Sequence, residues 1–469
     1  MKTNLLGTAA IALVLGACCF GIQPAIAAKP GGIAPSLKIT GNATATYHWF
    51  KNGKVARNTP GGPDEYGMGS LIAVEDSNLY FSASGRMDNG WTDQTFYDWL
   101  LNFTGNTNEA KGVQENRIQL KSRLGTMMIG NTQGVENRMA RGAYSIPGGT
   151  GGFDGNFKTT TLRPTGLLLT TDLVGATKYA TKITIISPRF YNFQIGLSYT
   201  PNSEHKGDGT PDGAPHNKTS TKTPPAAFDI NNVALGLNYV KDFDENIALA
   251  LSITGELGHT RPPKGGNNLD STSLATAFQT APRHHTKSYA IGGVLNVHQF
   301  EFGVEWINNG KSQQIKNASS VLAAAAANGT ASGKIPQYAG ATPVTAYGVP
   351  VTSPTATTYS GPLGGFNAGK AFSISGAYSF GFNKVSLGYY HSKRKFNGAN
   401  TVGKVYSVDY DRAIAPGFSI FAEGVWFDLK SHQSSVDFQN NLRANNPVYD
   451  PGILKNDGRT LLVGAITKF

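Results

Sequence analysis

The chain has 469 residues, 41 Lys plus Arg against 30 Asp plus Glu, and a formal net charge of +11. Mean hydropathy is −0.24, yet there are 24 Phe, 19 Tyr and 57 Gly. Beyond its first residues no run approaches the ~20 apolar residues of a spanning helix, which excludes a helical membrane protein. No basic helical face or recognition motif accompanies the charge, which sets nucleic acid aside.

Lys2, the apolar run Leu5–Phe20 and Ala25-Ile26-Ala27 read as the three parts of a secretory signal over residues 1–27, cleaved before Ala28. Leu15-Gly16-Ala17-Cys18 also resembles a lipobox, but the apolar run continues past it and a better cleavage site follows. Cys18 and Cys19, both inside the signal, are the two cysteines of the chain. The expected product, residues 28–469, therefore has no disulfide, which suits passage through an oxidising periplasm.

The first strand is expected over Leu37–Trp49. Leu37, Ile39, Gly41, Ala43, Ala45, Tyr47 and Trp49 alternate with Lys38, Thr40, Asn42, Thr44, Thr46 and His48. A period of two means that the faces of a strand meet different media. Small residues bounded by Tyr and Trp suit a lipid-facing side better than an aqueous core. Strands then follow over Ser77–Met87, Gln94–Phe103, Val113–Lys121, Thr126–Thr132, Ala176–Ser187, Phe193–Thr200 and Phe228–Lys241. The remainder are Asn246–His259, His284–Val297, Phe300–Asn308, Lys370–Phe380, Lys384–Lys393, Val402–Arg412, Phe418–Leu429 and Arg459–Phe469.

Connections alternate in length. Ser122–Gly125, Pro188-Arg189, Asp242–Glu245, His298-Gln299, Gly381–Asn383 and Ala413–Gly417 are short. Pro201–Ala227, Thr260–Arg283 and Gly310–Gly369 are long, and Val321–Thr358 is of low complexity, rich in Ala, Thr and Pro. Short periplasmic turns and long outer loops mark an all-β, antiparallel, up-and-down transmembrane barrel of 16 strands occupying residues 37–469. An even count puts both termini in the periplasm, and the localisation expected is the bacterial outer membrane. Terminal Phe469, on the face of Leu461, Val463 and Ala465, resembles the signature read by the barrel-assembly machinery.

Alternation also sorts the charges. Arg86 falls with Ser82 and Ser84 on the lumenal side, and Arg117, Lys121 and Arg123 fall with Gln119. Glu301 and Glu305 line the same wall further on. Lys393-Arg394-Lys395 tops an upward strand, where it could meet lipopolysaccharide phosphates. His284-His285 lacks an acidic or thiol partner at ligand spacing, so no metal is expected. The glycines of Gly148–Gly155 do not sit between a parallel strand and a helix, so no phosphate loop is expected. No nucleophile–base–acid set stands out; an enzyme and a cofactor are not expected.

Several stretches resemble the trimeric general porins of Gram-negative bacteria, in particular the sixteen-stranded alphaproteobacterial type. Ala176–Thr200, with Tyr179, Ser187-Pro188-Arg189-Phe190 and Gly196–Pro201, is similar to the family's central hairpin. Arg123–Thr126 with Ile129-Gly130 resembles the turn entering the third long loop, and Gly151–Gly155 resembles that loop's tip. The resemblance implies a homotrimer of water-filled pores, each narrowed by an inward-folded third loop. It implies a basic wall opposed by loop acids, a role that Asp154 and Glu136 would fill. The function expected is passive diffusion of small hydrophilic solutes and ions with mild anion preference. A phosphate- or sugar-specific channel and a structural or adhesive surface barrel are the alternatives.

Overall fold

In the computed structural model, sixteen strands with one polar and one apolar face close into a single antiparallel barrel. The structure describes residues 31–53, 71–88, 95–106, 112–161, 167–173, 177–203, 228–261, 282–314, 316, 368–396, 399–430 and 455–469. The expected signal, residues 1–27, and the low-complexity stretch 321–358 lie outside them.

The first eight strands are β1 (Gly31–Lys51), β2 (Leu71–Asp88), β3 (Thr95–Asn106), β4 (Gly112–Ser122), β5 (Gly125–Asn131), β6 (Thr181–Ile186), β7 (Phe193–Asn202) and β8 (Phe228–Asp242). The others are β9 (Ile247–Arg261), β10 (Thr286–Val297), β11 (Phe300–Gly310), β12 (Gly369–Phe380), β13 (Asn383–Phe396), β14 (Ala399–Ala415), β15 (Phe418–Lys430) and β16 (Lys455–Lys468). Each pairs with its chain neighbours, and β16 pairs back to β1, which leaves no open edge.

Exposure is inverted relative to a soluble sheet. Leu37, Ile39 and Trp49 are 65%, 51% and 45% exposed, whereas the alternates Thr46 and His48 are at 2% and 0%. Phe300, Phe302 and Val304 on β11, and Phe372, Ile374 and Tyr378 on β12, repeat the pattern. A continuous outward apolar belt is stable only against lipid. No helix among the described residues is long and apolar enough to cross a membrane; the strands do so.

Several strands extend beyond their expected ends, β1 starting at Gly31, β14 at Ala399 and β16 at Lys455, and three other differences have local reasons. β2 starts at Leu71 rather than Ser77, since Leu71, Ala73 and Glu75 continue the alternation opposite Trp49, Tyr47 and Ala45. β6 starts at Thr181 rather than Ala176, because Thr177 and Ala180 turn their carbonyls toward the Lys182 ammonium. The reversal after β6 is not at Pro188-Arg189 but at Tyr191-Asn192, between bridged Phe190 and Phe193. Both turn residues have positive φ, 46° and 70°, as a two-residue hairpin turn matched to strand twist requires.

Closure is sealed at Gly41. Its N–H donates to the Phe469 carbonyl at 2.9 Å, and the Phe469 N–H donates back at 3.1 Å. A Cβ at Gly41 would lie 2.7 Å from Phe469 Cζ and 2.8 Å from the Asn78 carbonyl oxygen. Gly41→Leu is therefore expected to push the terminal ring off the seam. It should lower the thermal midpoint of the folded barrel by a kcal/mol-scale overpacking cost, about 1–3 kcal/mol, read from heat-modifiable gel mobility. Ala43→Leu, two residues along the same outward face, serves as the comparison.

Candidate functional site

Between β5 and β6 lies the connection 132–180, whose described residues carry one short helix, α1 (Val135–Arg138), and 3-10 turns at Ala143–Ser145, Gly152–Asp154 and Asn156–Thr159. Such a segment must find partners for backbone groups that no regular ladder satisfies. It finds them on the polar alternates of successive strands. Ser198 Oγ on β7 accepts from Val135 N at 2.9 Å, and Ser252 Oγ on β9 from Arg141 N at 2.8 Å. Ser375 Oγ on β12 donates to the Ala143 carbonyl at 2.6 Å, and Ser386 Oγ on β13 accepts from Gly148 N at 3.0 Å. Gly292 on β10 lets the Arg141 carbonyl come so near that a Cβ would stand 2.1 Å from its oxygen.

The segment's tip is held by carboxylates. Asp411 on β14 accepts from Gly149 N at 2.8 Å, and Glu423 on β15 accepts from Thr150 N and Thr150 Oγ1, both at 2.9 Å. On the return, Ser392 Oγ donates to the Leu168 carbonyl at 2.6 Å and Tyr390 Oη to the Thr170 carbonyl at 3.0 Å. Beneath these bonds is an apolar core. Phe153 stacks on Tyr390 at 6.0 Å between centroids and Phe157 on Phe427 at 6.2 Å, with Val405, Phe421, Val425 and Leu429 buried around them. Each such aromatic burial contributes about 1.5–3 kcal/mol. The inner faces of β14 and β15 are thus partly dry, where polar alternates throughout were expected to meet water.

At the segment's root Lys182 is 1% exposed. Its ammonium donates to the carbonyls of Thr132 and Thr177 at 2.5 Å each and of Ala180 at 3.1 Å, tying the outgoing and returning ends together. Glu136, on α1, is 3% exposed and accepts from Gly134 N at 3.2 Å. Burial pushes its carboxyl above the ordinary carboxylate range, with the charge of Lys182 pulling the other way. A carboxyl whose folded pKa exceeds its unfolded value holds a proton that the unfolded chain has released. Stability then falls as pH rises from the unfolded pKa through the folded one. Glu136→Gln is expected to raise the thermal midpoint at pH 7 and to leave it unchanged at pH 4; an equal effect at both would contradict that linkage.

The residues singled out from sequence divide among these surroundings. Arg86 is exposed on the face of Ser82 and Ser84. Arg117 is half-buried and donates from Nη1 to Gln119 Oε1 at 2.7 Å, with Glu115 Oε1 3.6 Å from its Nε. Register carries Arg86 to Phe96 and Phe96 to Lys121, which places Arg86 and Lys121 on one row two strands apart. Arg117 stands opposite Gly130, which stands opposite Lys182, so it is in row with the segment's root. Arg123 lies in the β4–β5 turn itself, exposed.

Asp154 forms an ion pair with Lys158 and accepts from Thr171 Oγ1 at 2.8 Å. Glu301 pairs with Lys384 at 3.0 Å, and Glu305, 2% exposed, lies under Gly142. Lys393 and Lys395 are exposed on the outward face, whereas Arg394 between them points inward and is 2% exposed. Sequence reasoning missed Arg138, which bonds Glu115 at 2.5 Å, the Asp172–Lys178 pair at 2.8 Å, Lys182, Asp411 and Glu423. One signal was present for Glu423: it is a lone acid between Phe421 and Val425 on an otherwise apolar set of alternates.

A profile of the family described as Gram-negative porin matches residues 8–432. A protein of Rickettsia felis is 26% identical over 161 residues, 30% of this chain and 36% of its own length. One of Rickettsia bellii is 25% identical over 312 residues, 62% of this chain and 57% of its own length. The match thus spans little more than a third of the first of these relatives. A triple variant of the Rhodopseudomonas blastica porin superposes with a TM-score of 0.47 at 12% identity, covering 92% of this chain and all of that one. OmpT of Vibrio cholerae, in a trimer form, superposes at 0.48 and 12% identity, covering 93% of this chain and 100% of the other.

Proposed function

The chain belongs to the Gram-negative porin family, and from that premise we propose that it forms a water-filled outer-membrane channel for passive diffusion of small hydrophilic solutes, with a mild preference for anions. The supporting observation is the path of the 132–180 segment. Among the described residues, its hydrogen bonds to the wall run along the polar alternates of β7, β9 and β12–β15. Toward β4 it reaches Glu115, through Thr132 and Arg138, and past the end of β1 the Thr160 carbonyl accepts from Asn52 Nδ2 at 3.3 Å.

This third loop folds into the lumen and narrows it against the opposite wall. That wall carries Arg86, Arg117 and Lys121, and the loop presents Asp154 with Lys158 and Asp172 with Lys178. Opposed charges across a narrow opening set up a transverse field that orders water and selects by sign. Because the two loop acids are paired with loop lysines, the net field is that of the basic wall, which favours anions. Glu136, buried at the root, contributes to loop placement and not to the field. Three copies assemble as in the family's other trimers, and Phe469 at the closing seam is what the assembly machinery engages.

The test is single-channel conductance of the refolded protein in planar bilayers under a KCl gradient. Steps arriving in triplets, with a reversal potential on the chloride side, are expected. A folded barrel that carries no current would overturn the channel and favour a structural surface barrel.

A further inference from the structure

Two histidines far apart in the sequence meet on the outward face, where β9 ends and β10 begins. His259 lies on β9 and His285 just before the first residue of β10, and their rings stack at 4.1 Å between centroids with 29° between planes. The ladder pairs Thr286 with Gly258, and one step further sets His285 against His259. Both residues are exposed. Alternation puts them there: His259 shares its face with exposed Ile253 and Leu257, and His285 with exposed Tyr289 and Ile291. On the opposite face the same row is clamped. Thr260 Oγ1 donates to Asp229 Oδ1 at 2.6 Å, and Thr286 Oγ1 to Asp229 Oδ2 at 2.5 Å, so one buried carboxylate holds the chain neighbours of both histidines. Gln313, just past β11, donates from Nε2 to Asp229 at 3.1 Å and from its backbone N–H to the His284 carbonyl at 3.0 Å. The backbone under the two imidazoles is therefore fixed from β8, β9, β10 and the turn after β11, while the rings stay open to solvent.

We propose that His259 and His285 chelate a divalent transition-metal ion, copper(II) above the others, through one ring nitrogen each. Imidazole suits copper, nickel and zinc, and the affinity of such donors peaks at copper. Metal–nitrogen bonds of about 2.0–2.1 Å put two cis nitrogens roughly 3 Å apart. Exposed rings with centroids 4.1 Å apart reach that separation by turning about χ2, with no backbone movement. Burial first, then His259, Lys316 and Lys287, hold the His285 imidazole below its ordinary value, with Asp229 pulling the other way. At pH 7 that ring is neutral and keeps a lone pair to give. Lys287 and Lys316 oppose a dication, a repulsion that salt screens while the coordinate bonds persist. Among the described residues no group of three or more metal-binding side chains forms. The pair is thus an open, two-donor site whose other positions fall to water or an added chelator. The metal set aside at His284-His285 on sequence spacing becomes possible through a residue of the neighbouring strand. The ion would staple β9 to β10 beyond their own ladder, whether or not the lumen conducts.

Copper(II)–iminodiacetate, titrated into the refolded barrel and followed by pulsed EPR, tests the site. The chelator leaves two cis positions for imidazoles and keeps the chain's amino terminus from wrapping the metal, and the spectrum counts the imidazoles bound. Two imidazoles on one copper are expected in the wild type. H259Q and H285Q should each bind on the order of 100-fold more weakly, the loss of a chelate, and show one imidazole at most. H284Q and H391Q leave the pair intact and should bind as the wild type does. The complex should raise the thermal midpoint of the gel-mobility shift in the wild type and in neither H259Q nor H285Q. A single imidazole per copper in the wild type would overturn the site without recourse to any variant. Binding by H259Q/H285Q equal to the wild type would overturn it as well. Loss of binding in H284Q with retention in H259Q would put the metal on the sequential pair and refute the cross-strand assignment. Heat-modifiable mobility without metal, unchanged among the variants, verifies that they fold.

Discussion

Lys182→Met should loosen the third loop at its root and cost the folded barrel about 3–5 kcal/mol, the usual penalty for removing one member of a buried charged set. The carbonyls of Thr132, Thr177, Lys178 and Ala180 lose the ammonium at once, and of these Thr177's keeps the Ala180 N–H. No water-exposed route replaces the ammonium, because the site is 1% exposed. Glu136 and Glu256, which both act electrostatically on Lys182, are left without its ammonium. The methionine fills nearly the same volume, so packing loss is small and the effect isolates the ammonium. Two readouts separate a local from a global consequence. The thermal midpoint of the gel-mobility shift reports the barrel. Open-channel current noise reports the loop, and it should rise sharply even at temperatures where the barrel is fully folded. A quiet channel with an unchanged midpoint would show that the loop's tip anchors, Asp411 and Glu423, suffice without the root.

Strand number, facing and outer-membrane class are legible in the chain because one physical rule repeats along it: alternate residues meet lipid. Leu37 through Trp49 states that rule plainly, and β7, β11 and β12 restate it. Legibility fails where the interior is not water. On β15 the inward alternates Phe421, Val425 and Phe427 read like a second lipid face, and only the packed loop makes them a core. The same failure hides the functional roles of Lys182 and Glu423. An isolated inward charge looks like lumen lining until the segment that covers it is placed, and a period of two carries no information about where a loop goes. Asp154 shows the converse. Its acidity and its position at the loop tip are visible in sequence, but its pairing with Lys158 depends on the short 3-10 turns Gly152–Asp154 and Asn156–Thr159, which no periodicity announces.

Neutralising Arg86, Arg117 and Lys121 together should lower the chloride-to-potassium permeability ratio about tenfold and carry the reversal potential across zero. One unit charge about 7 Å from a permeating ion is worth roughly 0.6 kcal/mol in water, near threefold in local concentration, and three such charges compound. Salt shortens their reach, so the shift should be large in dilute KCl and shrink toward molar concentrations. Arg117 is expected to contribute most. It stands in row with the root of the third loop, and Gln119 holds its guanidinium in place beside Glu115, which Arg138 also engages. Arg86 and Lys121 share a row nearer the short turns and should contribute less apiece. Arg123 lies in the turn beyond them, open to bulk solvent, and Arg123→Gln should leave the reversal potential nearly unmoved. Glutamine is used throughout because it keeps hydrogen bonding while removing charge, so a change in selectivity at constant conductance speaks for the field and not for pore width. If the triple variant keeps its chloride preference, the anion bias does not come from this wall, and the loop lysines Lys158 and Lys178 become the groups to neutralise next.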